Sequence, residues 1–155
     1  MGIRDWELAG KSLIRCKIYF MNSYKGYKEL DCYKKSRELR IYISILAKKF
    51  PAEEKYLLLS QIKRSSRSVT ATIAEGYGRF TYTDTKNFFV MARGSVTETM
   101  EHLATAFDEK YITEEELKSG EEMCETSFKL INGYISWLNK SKSDTKAVDN
   151  PIPNP

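Results

Sequence analysis

Only one histidine, His102, occurs in the 155 residues. That excludes a multi-histidine metal site and leaves any serine-hydrolase triad dependent on a single imidazole. A ferritin-like di-iron centre is excluded as well, because it needs a Glu-x-x-His pair on each of two helices. Cysteine is also sparse. Cys16, Cys32 and Cys124 stand far apart, a spacing that fits neither a disulfide framework nor a zinc knuckle and suits a reducing cytoplasm. Long apolar runs are missing: the longest candidate, "YLLLSQI", is cut by serine and glutamine and falls well short of the roughly 20 residues that cross a bilayer. The N-terminus lacks an apolar stretch ending in a small-residue cleavage site, since "RDWELAGKSLIRCKIYF" mixes charge throughout. These absences predict a soluble cytoplasmic protein with no membrane partner, no metal and no cofactor.

What is present is a chain of the length of one compact domain, 41% hydrophobic and so able to fill a single core. Its net charge of +4 conceals a gradient. Residues 31–50 carry six Lys or Arg against two Asp or Glu, whereas residues 111–140 carry three against six. A basic first half and an acidic second half either draw a polyanion to one side or let the early helices pair with the late ones. The modest overall excess favours internal pairing, because a dedicated nucleic-acid domain usually carries far more positive charge.

Apolar residues recur at helical spacing in four places. Cys32, Ser36, Leu39, Ile43, Leu46 and Phe50 follow alternating steps of four and three, a seam with a repeat of 3.5. Asp31 is placed to cap its start, and Pro51 ends it by pushing the preceding residue out of the helical region. A second helix opens with Glu53 and Glu54, whose charges suit a helix N-terminus. Its seam runs Leu59, Ile62, Ser66, Val69, Ile73 and Gly76, with Ser65, Ser66 and Ser68 small enough to admit a close neighbour. A third seam takes Phe89, Ala92, Val96, Thr99 or Met100, Leu103 and Phe107, capped by Thr81 or Thr83. The fourth follows a capping box of Thr113 and Glu116 through Leu117, Gly120, Cys124, Ser127, Ile131, Tyr134 and Leu138. No segment alternates with period two long enough to form a strand. Short connections make neighbouring helices antiparallel, so the expected fold is all-α, an up-down antiparallel four-helix bundle.

The bundle is expected over residues 29–140. Residues 1–28 read as an N-terminal extension, in which Trp6, Leu13 and Ile14 supply one face of a short extra helix and Met21 offers an alternative start. Residues 141–155 hold three prolines and no periodicity, and read as a disordered tail.

The stretch "TIAEGYGRF", residues 72–80, resembles a phosphate loop at first sight. A phosphate loop, however, places its glycines before a helix, so that free amides point at the anion, and follows them with Lys-Ser or Lys-Thr. Here Gly76 and Gly78 come after the second seam, where a helix end favours a residue of positive φ. They therefore read as a helix stop. Glu98 and His102 have the spacing of an ordinary helix-face pair, and Cys32 and Cys124 sit on core seams as small hydrophobes. Lys63, Arg64, Arg67, Arg79 and Arg93 remain, and two roles stay open for them. They form a guanidinium-rich patch for phosphate, or Arg64 and Arg93 pair with Glu75, Glu98 or Glu101 across the bundle. An enzyme using Glu75 with Arg79 is a third reading, and it requires a pocket at the exit of the second helix.

The stretches "LDCYKKSRELRIYI", "KKFPAEEKYLLLSQIKRSSRSV", "IAEGYGR" and "ARGSVTETMEHL" resemble the four-helix-bundle proteins called 23S ribosomal RNA intervening-sequence proteins, over about residues 28 to 140. Gln61, Arg64, Ser68, Ile73, Ala74, Glu75, Gly76, Gly78, Arg79, Ala92, Arg93, Gly94, Ser95 and Glu98 fall on that family's pattern. Thr72 stands where the family usually has Asn, and Ser65-Ser66 where it usually has Ala-Ala. The resemblance implies a bundle without enzymatic activity that assembles with itself, often as a pentameric ring. It also implies structural roles for Gln61, Ser68, Glu75, Gly76, Gly78, Gly94, Ser95 and Glu98. Some members are encoded within ribosomal RNA gene insertions, and related bundles serve diversity-generating retroelements by binding nucleic acid on a basic surface. The leading expectation is thus an oligomeric accessory protein for RNA or a nucleoprotein complex; the alternative is a structural or protein-interaction module.

Overall fold

The structure, a computed structural model, describes residues 26–79 and 81–144. The expected N-terminal helix, the alternative start at Met21, Cys16 and residues 145–155 lie outside the described residues. Four helices make up the described residues: α1 (Asp31–Leu46), α2 (Leu58–Tyr77), α3 (Tyr82–Asp108) and α4 (Glu114–Asp144), with short 3-10 turns at Tyr27–Glu29, Ala47–Lys49 and Ala52–Tyr56. No strand occurs among the described residues. Each helix packs on the next and α4 closes against α1, whereas the backbones of the diagonal pairs stay apart. Consecutive rods joined by such short links run antiparallel, so this is the up-down four-helix bundle that the seams predict.

The core is made of those seams. Cys32, Ser36, Leu39, Ile43, Leu46 and Phe50 are all buried, as are Ile62, Ser66, Val69, Ile73, Phe89, Ala92, Val96, Thr99, Leu103, Cys124, Ser127, Ile131 and Leu138. Leu59, Leu117 and Tyr134 are only partly buried against this core, with Leu58 buried beside Leu59, and Phe107 departs outright: it is 37% exposed and Ala106 takes its place inside. Of the alternatives Thr99 and Met100 it is Thr99 that is buried, so the alternating steps of three and four continue from Leu103 by three, to Ala106, and Phe107 falls one residue off the seam.

Close packing is concentrated between α2 and α3, where small polar side chains face one another. The Thr99 hydroxyl donates to Ser65 Oγ at 2.9 Å, and Ser95 Oγ donates to Ser68 Oγ at 3.0 Å. Ser65 is buried too, so its partner on α3 removes the cost of hiding a hydroxyl.

Helix boundaries follow local chemistry, with three corrections. Asp31 does not cap α1: Leu30 is the N-cap, in extended geometry after the 3-10 turn, and Asp31 lies one residue inside. The second helix does not run continuously from Glu53, because Leu57 adopts φ −109, ψ −120 and separates a 3-10 turn from α2. Glu54 still serves the helix start from outside it, its carboxylate accepting from Leu58 N at 2.9 Å and from the Tyr111 hydroxyl at 3.1 Å. At the far end α4 continues to Asp144, past the boundary expected at Lys140, since no proline intervenes before residue 151. Elsewhere the expectations hold. Phe50, just before Pro51, is extended (φ −67, ψ 142). Thr81 Oγ1 accepts from Asp84 N at 3.1 Å, and Thr113 and Glu116 exchange both capping-box bonds at 3.0 and 3.2 Å.

Candidate functional site

Gly76 and Gly78 do not act through positive φ. Among the described residues no glycine has one, and Gly78 closes α2 at φ −80, ψ 0, a conformation open to any residue. Gly76 lies within α2 and is buried. A Cβ there would come 2.7 Å from Phe88 Cβ and 3.2 Å from the Phe89 ring, so it is the approach of α3 that demands a glycine. The glycine pair is thus a close-packed helix end, with Gly78 and Arg79 amides donating back to Glu75 and Gly76 carbonyls at 3.1 Å. No amide of that pair is left pointing at an anion.

The five candidate cations do not form one patch. Arg79 donates to Glu75 at 2.6 Å and lies 4.4 Å over the Phe88 ring; both members of the pair are exposed. Glu75 and Arg79 line neither the groove between α1 and α2 nor the one between α1 and α4. Arg93 turns toward α4, where it donates to Asn132 Oδ1 at 2.9 Å and sits 5.9 Å from the Phe128 ring centre. It therefore pairs with an amide, not with Glu75, Glu98 or Glu101 as one reading of the charges expected. Lys63, Arg64 and Arg67 make no side-chain hydrogen bond or ion pair among the described residues. On a helix Arg64 lies outward, whereas Lys63 and Arg67, four residues apart, share the side toward α1.

Of the five, Arg67 lines the groove between α1 and α2. Between α1 and α2 runs an open trough of about 700 Å³, walled on one side by Arg40, Ile41, Ile45 and Lys48 and on the other by Arg67 and Ala71. Tyr27 and Tyr33 close one end, their rings edge-on at 4.9 Å. No acidic residue lines it. Arg40 is held in place by donating to Thr70 Oγ1 at 3.2 Å, a neutral acceptor, so its charge is not cancelled. Ile41 and Ile45 are 40% and 58% exposed. Reading the sequence for its seams passed over Arg40, Ile41, Ile45 and Lys48. The signal was nonetheless there: Lys34, Arg37, Ile41 and Ile45 keep steps of three and four on the face of α1 opposite its seam, and Lys48 follows three residues on in the next turn.

The remaining motif residues border the α2–α3 seam on the outside. Gln61, Arg64 and Glu75 are exposed on a single helix face, with Ser68 half-buried among them. Ser95, its partner across the seam, leads to Gly94, Glu98 and the exposed Val90 and Met91 on α3. Gly94 has nothing within 4 Å of where a Cβ would be, so the single chain gives no steric reason for it. Glu98 meets His102 at 3.6 Å, a helix-face pair. Cys32 and Cys124 are core groups whose thiols burial pushes up to about 12, which keeps them protonated and unreactive.

No helix among the described residues is long and apolar enough to cross a membrane. No curated protein matches the chain. A solved crystal structure at 1.70 Å, of a protein with unknown function from the S23 ribosomal protein family of Bacteroides thetaiotaomicron VPI-5482, is similar. The two share 27% identity with a TM-score of 0.63, over 67% of this chain and 97% of that one. The profile of the 23S rRNA-intervening sequence proteins matches residues 28–133, the span that carries α1, α2 and α3 whole, much of α4, and the buried α2–α3 contact at Gly76. The chain belongs to the 23S rRNA-intervening sequence protein family.

Proposed function

We propose that the protein is a non-catalytic bundle that assembles with itself and binds RNA or another nucleic acid as an accessory factor. The observation that carries the binding half is the trough between α1 and α2, where Arg40, Lys48 and Arg67 stand without an acidic neighbour in the lining. Three cations facing a shared groove lower the cost of bringing a polyanion close, and release of its counterions adds to the affinity. The test is retention of structured and single-stranded RNA by the purified protein as salt is raised. Binding that weakens steeply between about 50 and 200 mM salt is expected; no retention at low salt would remove nucleic acid from the account.

Self-assembly is supported by a different surface. Val90 and Met91 on α3 are 36% and 59% exposed, and Gly94 stands in open space one turn from them on the same helix. A mid-helix glycine costs roughly 0.5–1 kcal/mol against alanine, a penalty that close approach of a second chain offsets. The pentameric ring implied by the family resemblance is the assembly proposed, and light scattering should give a mass about five times that of one chain. A monomer at micromolar concentration would sink it. The same surface favours the second reading, a pure interaction module, in which substitutions at Arg64 or Arg93 loosen the assembly and nucleic acid plays no part.

A further inference from the structure

We infer that the trough between α1 and α2 takes an unpaired nucleic-acid strand and not a duplex, an inference that rests on the nucleic-acid reading above. Charge alone does not separate the two, because both present phosphates. The separation comes from what lies between the charges. Arg40 lies on α1 and Lys48 in the 3-10 turn that continues it, eight residues on and about 12 Å away at helical rise, and the wall between them carries Ile41 and Ile45, both substantially exposed, with Ser44 beside them. Tyr33, half-buried at the end of the trough, adds an aromatic surface that an edge-on ring supports from below.

A duplex offers such a surface only its sugar-phosphate rim, since its bases are stacked inside. Exposed isoleucines beside that rim would gain nothing and lose water contacts to charged oxygens. An unpaired strand turns its bases outward, and their faces lie against apolar and aromatic side chains whatever their identity. Alternation of cation and apolar surface along one groove is therefore the arrangement that accepts a backbone and its splayed bases together. Arg67 on the opposite wall, unpaired and exposed, reaches the backbone from the other side. Arg40 is preset by its bond to Thr70, so less side-chain freedom is lost on binding.

Fluorescence anisotropy with a labelled 15-nucleotide oligo-uridine and with a blunt RNA duplex of the same length tests this on the full chain. The single strand should bind at least tenfold tighter. Arg67→Ala should weaken both probes, whereas Ile41→Ser with Ile45→Ser should weaken the single strand about tenfold and leave the duplex unchanged. Both isoleucines are surface residues, so far-ultraviolet circular dichroism should report an intact bundle; a variant that unfolds is replaced by Ile45→Ser alone, with the same contrast expected. Equal affinity for the two probes, or a double variant with unchanged affinity, overturns the strand inference and leaves the nucleic-acid reading standing. Binding of neither probe at low salt overturns both, and gives the trough to a protein partner.

Discussion

At the scale of the residue, side chains here are chosen by what faces them. Gly76 sits in an ordinary helical conformation, and what it lacks is room. Because the nearest atom is Phe88 Cβ, the root of a side chain and not its flexible end, Gly76→Ala must move the α3 backbone. The expected cost is about 1–3 kcal/mol, read as a lower urea midpoint at unchanged slope. Lys110 is the reverse case. It has φ 63, the single positive φ of a non-glycine residue among those described, at the position after the α3 C-cap. There the Lys110 and Tyr111 amides donate to the Phe107 and Ala106 carbonyls, both at 2.9 Å, the bond pair of a Schellman ending. Glycine is the residue that this backbone favours, so Lys110→Gly should raise stability by about 1 kcal/mol despite its greater freedom when unfolded. Thermal unfolding would show a higher Tm; a lower one would mean that Lys110 contributes a contact beyond its backbone.

At the scale of the element, the start of α4 couples a local cap to the bundle. Glu116 reaches back to the Thr113 amide, forms an ion pair with Lys49, and its carbonyl accepts from the Tyr42 hydroxyl at 2.6 Å. Hydrogen bonding from Lys49, helped by the Thr113 amide, holds the Glu116 carboxyl below the usual carboxylate range. A group whose folded value is depressed adds stability that is present above the ordinary glutamate pKa, about 4.3, and is lost as pH falls through its lower folded value. Urea midpoints of the wild type and Glu116→Gln should therefore differ at pH 7 and converge as the pH drops below the usual carboxylate range. A gap that stays constant through that range would assign the effect to packing instead of charge. The neighbouring loops reinforce this end, with Phe50 and Tyr111 ring centres 5.5 Å apart and Tyr111 bound to Glu54.

At the scale of the whole molecule, the charge gradient becomes a geometry. Because α1 and α2 are neighbours, the basic first half is gathered on adjacent rods, and the acidic residues of α4 meet it only at the α1–α4 edge, as in the Lys49–Glu116 pair. Internal pairing, favoured from composition, thus accounts for few of the cations: Lys34 and Lys35 pair with glutamates of their own segment, and Arg40, Lys48 and Arg67 face the trough. Gly94→Ala tests the second surface. Alanine should stabilise the helix of the isolated chain by about 0.5–1 kcal/mol. On the proposed assembly it should at the same time lower the mass seen by light scattering. Greater stability with unchanged mass would take Gly94 out of the interface.

Seams of period 3.5, the capping box at Thr113 and the break before Pro51 were legible in the sequence, because each depends on residues within one or two turns of each other. They determined the number of helices, their order and which side of each is buried. The interruption at Leu57, the inward turn of Ala106 and the true reason for Gly76 were not legible. Each depends on the register between two rods, and register is decided by the packing of side chains far apart in the chain. The candidate site belongs to that second kind: Arg67 stood out by its type, but Arg40, Ile45 and Lys48 acquired meaning only when α1 was laid beside α2. Local periodicity is a property of a segment, whereas a groove is a property of two surfaces, and only the tertiary structure brings the second surface into contact with the first.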